Sequence, residues 1–339
     1  MVGRRALMAR VWPDRVVDEN NLQSQISALR AALGTERELI RTVSGRGYQF
    51  TGELRILSAD PGEHAGVVAS ALPPTNLPAP VAELIGRDAE VAEVVRLVGA
   101  HRLVSLTGIG GIGKTQLALT AASQLRPQFT DGVWLVELSP LSDPGLVPAT
   151  VAAAVGLQLS AGEVSTRRVA QALADRRLLL VLDTCEHVIA AVTGMVEALL
   201  HANPAARVIT TSREPLKAEG EWIYPVPPLA VPAAEADDFS RYGAALLFVL
   251  RSRASGAHVS QDQHAAAFIA TICRRLDGIP LAIELAAARG GALGIEALAA
   301  GLDDRFRLLT GGRRTALLRH QTLRATLDWS YELLRSPSA

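Results

Sequence analysis

From about residue 100 onward, short runs of leucine and β-branched residues alternate with longer alanine- and leucine-rich stretches. The runs at 103–107, 133–138, 178–182, 208–211 and 222–226 are too short for helices and predict strands. Strand alternating with helix in this way predicts a parallel α/β sheet. After Ser240 the strands stop, and the apolar spacing predicts helices at about 240–254, 261–276, 281–290 and 294–309. Near the start, Asp18 is placed as an N-cap and Glu19 as a first-turn acid. Leu22, Ile26, Leu29 and Leu33 then recur at helical spacing before Gly34, which predicts an amphipathic helix over 18–33. Two short β-type runs, 39–43 and 48–50, flank Ser44-Gly45-Arg46-Gly47 and predict a hairpin with an arginine at its tip.

Between these halves, residues 56–80 lose periodicity and gather Pro61, Gly62, Pro73, Pro74, Pro78 and Pro80, the composition of a semi-rigid linker. The expected organisation is therefore a helix-and-hairpin segment at 1–55, a linker at 56–80 and an α/β domain at 81–235. A helical subdomain at 236–310 follows, with the start of a further helical or winged domain at 311–339. An apolar helix beginning near Thr322 runs to Leu334 without a following partner, so the chain is expected to be a piece of a longer protein.

Charge adds a local rather than a global signal. The 339 residues hold 34 basic and 34 acidic side chains, so the whole chain recruits neither nucleic acid nor membrane through net charge. The first 55 residues hold nine arginines (4, 5, 10, 15, 30, 37, 41, 46, 55) against six acids (14, 18, 19, 36, 38, 53), a local excess of about +3. Two cysteines, Cys185 and Cys273, cannot build a disulfide framework, and no apolar run is long enough to span a membrane. A cytoplasmic location is expected, with no membrane partner. Cys185 and His187 flank Glu186, but no further cluster completes a zinc site. Only two lysines, Lys114 and Lys217, stand among the 34 basic residues.

Lys114 has a clear reason to be there. Directly after the strand 103–107 comes Gly108-Ile109-Gly110-Gly111-Ile112-Gly113-Lys114-Thr115, followed by a helical stretch, the P-loop pattern in its required strand–loop–helix setting. Glycines at 108, 110, 111 and 113 let backbone N–H groups turn toward phosphate oxygens, and the helix start adds partial positive charge. Lys114 is expected on the β- and γ-phosphates and the Thr115 hydroxyl on magnesium, with ATP or ADP as the nucleotide. Magnesium needs a carboxylate from a second strand, and the buried run 178–182 ends in Asp183. Arg213, after Thr210-Thr211-Ser212 at the end of the next strand, is placed to read a γ-phosphate.

In order along the chain, Gly86-Arg87-Asp88-Ala89-Glu90, the P-loop, the block 179–187, the block 209–215 and Gly278-Ile279-Pro280-Leu281-Ala282-Ile283-Glu284-Leu285 resemble the STAND-class, NB-ARC-like ATPase module of AfsR-like bacterial regulators. The resemblance covers about residues 80–335. It implies that Gly86 and Arg87 lie near adenine and ribose, that Pro280 packs on adenine from the helical subdomain, and that Arg213 senses the γ-phosphate. Many relatives of the wider class carry a second acid directly after the magnesium aspartate, where this chain has Thr184. Glu186 is the nearby candidate for orienting water, with a helix-start acid as its plain alternative. Slow ATP hydrolysis, used as a switch, is the expectation.

The helix 18–33 and the hairpin resemble the end of an OmpR/PhoB-type winged helix, with Ile40-Arg41-Thr42-Val43-Ser44-Gly45-Arg46-Gly47-Tyr48 matching its wing. Asn20, Asn21, Gln23, Ser24, Ser27 and Arg30 are the candidate contacts to double-stranded DNA from the helix, with Arg41 and Arg46 from the wing. The family's first strands and first helix are missing, and Ser27 and Ala28 stand where basic groups are common. The fold class expected is thus α/β: a parallel-sheet P-loop NTPase domain with a C-terminal helical subdomain, preceded by a partial winged helix. The function expected is an ATP-switched transcriptional regulator that self-associates on ATP binding. The rivals are a constitutive P-loop ATPase or kinase and a nucleotide-holding signalling scaffold without DNA binding.

Overall fold

The structure, a computed structural model, describes residues 39–43, 47–50, 72–79, 83–158, 164–233, 241–256 and 263–302. The chain divides into two units, Met1–Ala69 and Ser70–Ala339. In the first, β1 (Ile40–Val43) and β2 (Gly47–Phe50) form an antiparallel hairpin with Thr42 opposite Tyr48. Tyr48 is buried, whereas Arg41 and Thr42 of β1 are exposed. The helix expected at 18–33 and the hairpin tip 44–46 lie outside the described residues.

The second unit is built on five parallel strands: β3 (Leu103–Thr107), β4 (Val133–Glu137), β5 (Leu179–Asp183), β6 (Arg207–Ser212) and β7 (Glu221–Pro225). Their order is β4-β5-β6-β3-β7, so the first strand of the unit lies between β6 and β7. The near-continuous apolar runs at β3 and β5 arise because such strands are covered on both faces. Alternation then sorts each strand between two cores. Leu180, Leu182 and Val208 pack with α3 (Val147–Ala154), α4 (Thr166–Ala172) and α5 (Ile189–Ala202). Leu179, Val181 and Ile209 face the opposite way, onto α1 (Asp88–Ala100) and α2 (Lys114–Leu125).

The β4 edge is covered by the end of the proline-rich stretch. Thr75 bridges to Val133 in parallel, and the Asn76 amide replaces a strand: Nδ2 donates to Leu135 O at 2.8 Å and Oδ1 accepts from Leu135 N at 2.6 Å. Residues 72–79, expected to be linker, are therefore part of the sheet's margin; their polar side chains satisfy an edge that would otherwise present unpaired backbone groups. At the other edge, Trp222 and Ile223 of β7 are exposed, with the Trp222 ring stacked on His101 at 4.1 Å.

Helices α6 (Gly243–Ala254), α7 (Gln263–Arg275), α8 (Pro280–Leu293) and α9 (Ile295–Gly301) form a separate core around Phe248, Ile272, Cys273, Ile283, Ala286 and Leu298. The Arg251–Glu284 ion pair at 2.8 Å ties α6 to α8. Pro280 opens α8, where its missing N–H costs nothing and its fixed φ suits the first turn. This helical part meets the sheet at the P-loop: Leu281 N donates to Gly111 O at 3.2 Å. A Cβ on Gly111, whose φ is +81°, would lie 2.8 Å from the Leu281 Cβ, so only glycine permits the approach.

Candidate functional site

The loop 108–113 leaves the carboxyl end of β3 between β6 and β7, where the strand order reverses and open α/β sheets form their crevice. Gly108, Gly111 and Gly113 take positive φ, and Gly113 is the left-handed residue preceding α2. No side chain caps that helix, so its first N–H groups are left for another acceptor. Ile112 is buried in the sheet core and anchors the loop's far side.

Lys114 folds back over the loop, donating from Nζ to Gly108 O at 2.7 Å and Ile109 O at 3.0 Å. Burial pushes its ammonium down to about 8; the Glu186 and Asp183 carboxylates oppose the shift and the Arg213 guanidinium adds to it. A charge held at this cost, beside donors that point into the same cradle, suits a polyanion.

Thr115 Oγ1 donates to Asp183 Oδ1 at 2.6 Å, joining the first turn of α2 to the end of β5. Asp183 is further held by the hydroxyls of Thr211, at 2.7 Å on Oδ1, and of Thr184, at 3.1 Å on Oδ2. Thr184 itself sits at φ +65°, an unusual conformation for a β-branched residue. Arg213 Nε lies 3.2 Å from Glu186 Oε1, with the two side chains only 14% and 6% exposed. Glu186 Oε2 is buried and has no hydrogen-bond partner among the described residues. A guanidinium and a half-satisfied carboxylate thus stand together beside Lys114.

Cys185, between these groups, is core: its thiol is pushed well up by burial and donates to Leu182 O. His187 is bonded through Nε2 to Leu138 O at 3.0 Å.

The remaining candidates are placed as follows. Arg87 is 3% exposed and donates to Glu90 Oε1 at 2.8 Å and to Ile112 O at 3.2 Å, so in this structure it braces the P-loop from α1. Gly86, at φ +64°, abuts α6: a Cβ there would come within 2.5 Å of the Gly243 Cα. Pro280 stands near Gly113, its Cγ 4.0 Å from the position of an added Cβ. Gly110 lies in the loop between the exposed Ile109 and Gly111. The structure therefore gathers Lys114, Thr115, Asp183, Glu186 and Arg213, and brings Arg87 and Pro280 to the margins of the same loop, while Gly86 packs on α6. Of the DNA candidates, Arg41 is exposed on β1 opposite Gln49, while Asn20, Asn21, Gln23, Ser24, Ser27, Arg30 and Arg46 lie outside the described residues. Thr211, Thr184 and the Leu281 N–H were missed as site groups; a run of three hydroxyl residues closing an otherwise apolar strand was the available signal for the first.

A parallel sheet with the P-loop at its switch strand, and the lysine, threonine and aspartate assembled there, defines a P-loop NTPase fold with a helical subdomain. Residues 1–50 match the family described as transcriptional regulatory protein, C terminal. The chain is 44% identical over 238 residues to a Mycobacterium tuberculosis H37Rv protein named as an HTH-type transcriptional regulator, covering 70% of this chain and 26% of that protein. It is 31% identical over 307 residues to the regulatory protein AfsR of Streptomyces griseus, covering 84% of this chain and 29% of AfsR. The chain is thus similar in sequence to AfsR-type regulators, and it spans less than a third of either relative's length. Among solved structures, the Walker-type ATPase PABY2304 of Pyrococcus abyssi is similar over 74% of this chain and 76% of its own, at 14% identity and a TM-score of 0.46. No helix among the described residues is long and apolar enough to cross a membrane.

Proposed function

We propose that this chain is the nucleotide-responsive and DNA-reading part of a cytoplasmic transcriptional regulator, with Mg-ATP or Mg-ADP held at the P-loop. The observation that carries the nucleotide half is the meeting of Thr115 and Asp183, 68 positions apart in sequence and 2.6 Å apart in space, beside the half-buried Lys114. Thr115 and Asp183 would hold the magnesium ion, which supplies charge neutralisation on the phosphate oxygens. Lys114 exchanges the carbonyls of Gly108 and Ile109 for the β- and γ-phosphates. Arg213 exchanges Glu186 for the γ-phosphate, and Gly86 and Arg87 border the base and ribose, with Arg87 acting on the loop through Ile112. The helical part responds because Leu281 is bonded to Gly111 and Pro280 stands over Gly113. A change in the loop is thereby passed to α8 and its neighbours, the packing change a two-state switch needs. ATP-dependent self-association is a further consequence of that switch.

The DNA half is supported by the match of residues 1–50 to a transcriptional regulatory domain and by the exposed Arg41 on the hairpin. Two titrations test the reading. With ATP, the parent should bind more tightly when magnesium is present, and Asp183→Asn should keep ATP binding while losing that enhancement. With random duplexes, binding should weaken as salt rises, and Arg46→Ala should lower the salt slope by about one. Magnesium-dependent ATP binding without any DNA affinity in either nucleotide state would replace the regulator with the scaffold. Turnover near about ten per second would instead favour a constitutive ATPase.

A further inference from the structure

Strand β6 closes with three consecutive buried hydroxyl residues, Thr210, Thr211 and Ser212. Alternation turns the first two to opposite faces. Thr210 Oγ1 donates to Ser105 Oγ at 2.7 Å, within the sheet and away from the site. Thr211, 1% exposed, is bonded through both its hydroxyl and its carbonyl. Its hydroxyl donates to Asp183 Oδ1 at 2.7 Å and accepts from Thr184 N at 2.9 Å, while its carbonyl accepts from Cys185 N at 2.9 Å. A hydroxyl has one proton to give, and a backbone N–H can only donate to it. The Thr184 amide therefore directs the Thr211 proton onto the carboxylate.

These bonds organise the turn that follows β5. They hold Thr184 at φ +65°, which a threonine adopts only when its surroundings impose it. They also make the two oxygens of Asp183 unequal. Among the described residues, Oδ1 accepts from both Thr115 and Thr211, at 2.6 and 2.7 Å, whereas Oδ2 accepts only the longer 3.1 Å bond from the Thr184 hydroxyl.

We propose that Thr211 is a positioning residue for the magnesium site, because its hydroxyl occupies Oδ1 together with Thr115 and leaves Oδ2 as the oxygen available to the metal. Thr211 is not itself a ligand. It also places the hold on Asp183 two residues before Arg213 on the same chain segment, so the metal side and the phosphate-sensing side of the site share one support. The proposal rests on the Mg-ATP reading given above.

The test compares ATP affinity in magnesium with ATP affinity in excess chelator, using the whole chain and its Thr211→Val, Thr211→Ser, Thr211→Cys and Thr210→Val variants. Thr211→Val should lower the magnesium enhancement by about tenfold, the scale at which groups behind a metal ligand act, and change affinity in chelator little. Thr211→Ser keeps the hydroxyl and should restore the parental ratio. Thr210→Val removes an equally buried hydroxyl from the same strand and should leave the ratio unchanged. If Thr211→Val does not fold, Thr211→Cys, a weaker donor of similar size, should give an intermediate ratio. A parental ratio in folded Thr211→Val, or in Thr211→Cys where the valine variant does not fold, overturns the proposal. Equal loss in Thr210→Val overturns it as well, since the effect would then be a general one on the strand. A parent whose ATP affinity ignores magnesium refutes the nucleotide reading itself, and is recognised by the absence of any ratio to lose.

Discussion

Replacing Lys114 with methionine should make the nucleotide-free protein more stable and the nucleotide-treated protein less so. The ammonium falls from its ordinary 10.5 to about 8 because it is buried. That shift corresponds to a penalty of about 3 kcal/mol on the charged form in the folded state. Methionine keeps the stem and removes the charge. The Gly108 and Ile109 carbonyls lose their shared donor, a cost of about 1 kcal/mol where a loop can regain water. The net gain is about 1 to 2 kcal/mol, or roughly 3 to 6 °C in Tm for a unit of this size. The sign with pH follows from the direction of the shift. A lysine whose folded pKa lies below its unfolded value carries the whole penalty below about pH 8, and the penalty vanishes as pH rises toward the ordinary 10.5. The stability gap between variant and parent should therefore be constant from about pH 6 to 7.5 and close above 8. With saturating Mg-ATP the order should invert, since about 100 Kd of ligand stabilises the parent by about 2.7 kcal/mol and leaves the variant where it was. Thermal melts across pH, with and without nucleotide, read all three quantities. A nucleotide-free Lys114→Met protein less stable than the parent at about pH 7, or a gap indifferent to pH between about 8 and 10, would refute the electrostatic account of this lysine.

Two helix and loop glycines should respond in opposite directions to alanine. Gly111→Ala, at φ +81° and facing Leu281, should destabilise by about 2 kcal/mol, whereas Gly194→Ala, in α5 with open space around it, should stabilise by about 1 kcal/mol in urea titrations. ATP affinity should be flat up to about pH 8 and then fall by at most about tenfold per pH unit as Lys114 loses its proton; calorimetry at a series of pH values would contradict this if affinity rose over the same interval. Steady-state hydrolysis should be no faster than on the order of one turnover per minute, because Thr184 supplies no second carboxylate and a switch must hold its state. A single-turnover rate unchanged by Glu186→Gln would reduce Glu186 to the partner of Arg213.

The five strands were legible as short runs rich in leucine, β-branched or aromatic residues, most clearly at β3 and β5, which are covered on both faces. The meeting of Thr115 with Asp183 beside Lys114 was legible because the P-loop pattern fixes residue type and position relative to strand ends. What escaped depends on pairings between distant segments. Asn76 reads as one more polar residue in a proline-rich stretch; only its match to the Leu135 backbone, 59 positions away, makes it an edge cover. Arg87 also holds the Ile112 carbonyl, a contact across 25 positions that its local sequence does not mark. Glu186 and Arg213 were each legible as candidates, but their ion pair arises from the return of β6 beside β5. Gly86 carries no sequence mark of the close approach of Gly243.

The most direct test of the central claim is a calorimetric titration of the whole chain with ATP in the presence of magnesium. Saturable binding of one nucleotide per chain, tighter than about 1 mM, weakened by chelator and abolished in Lys114→Ala, is the expected result. Absence of binding by a folded parent, or the same affinity in Lys114→Ala, would contradict it.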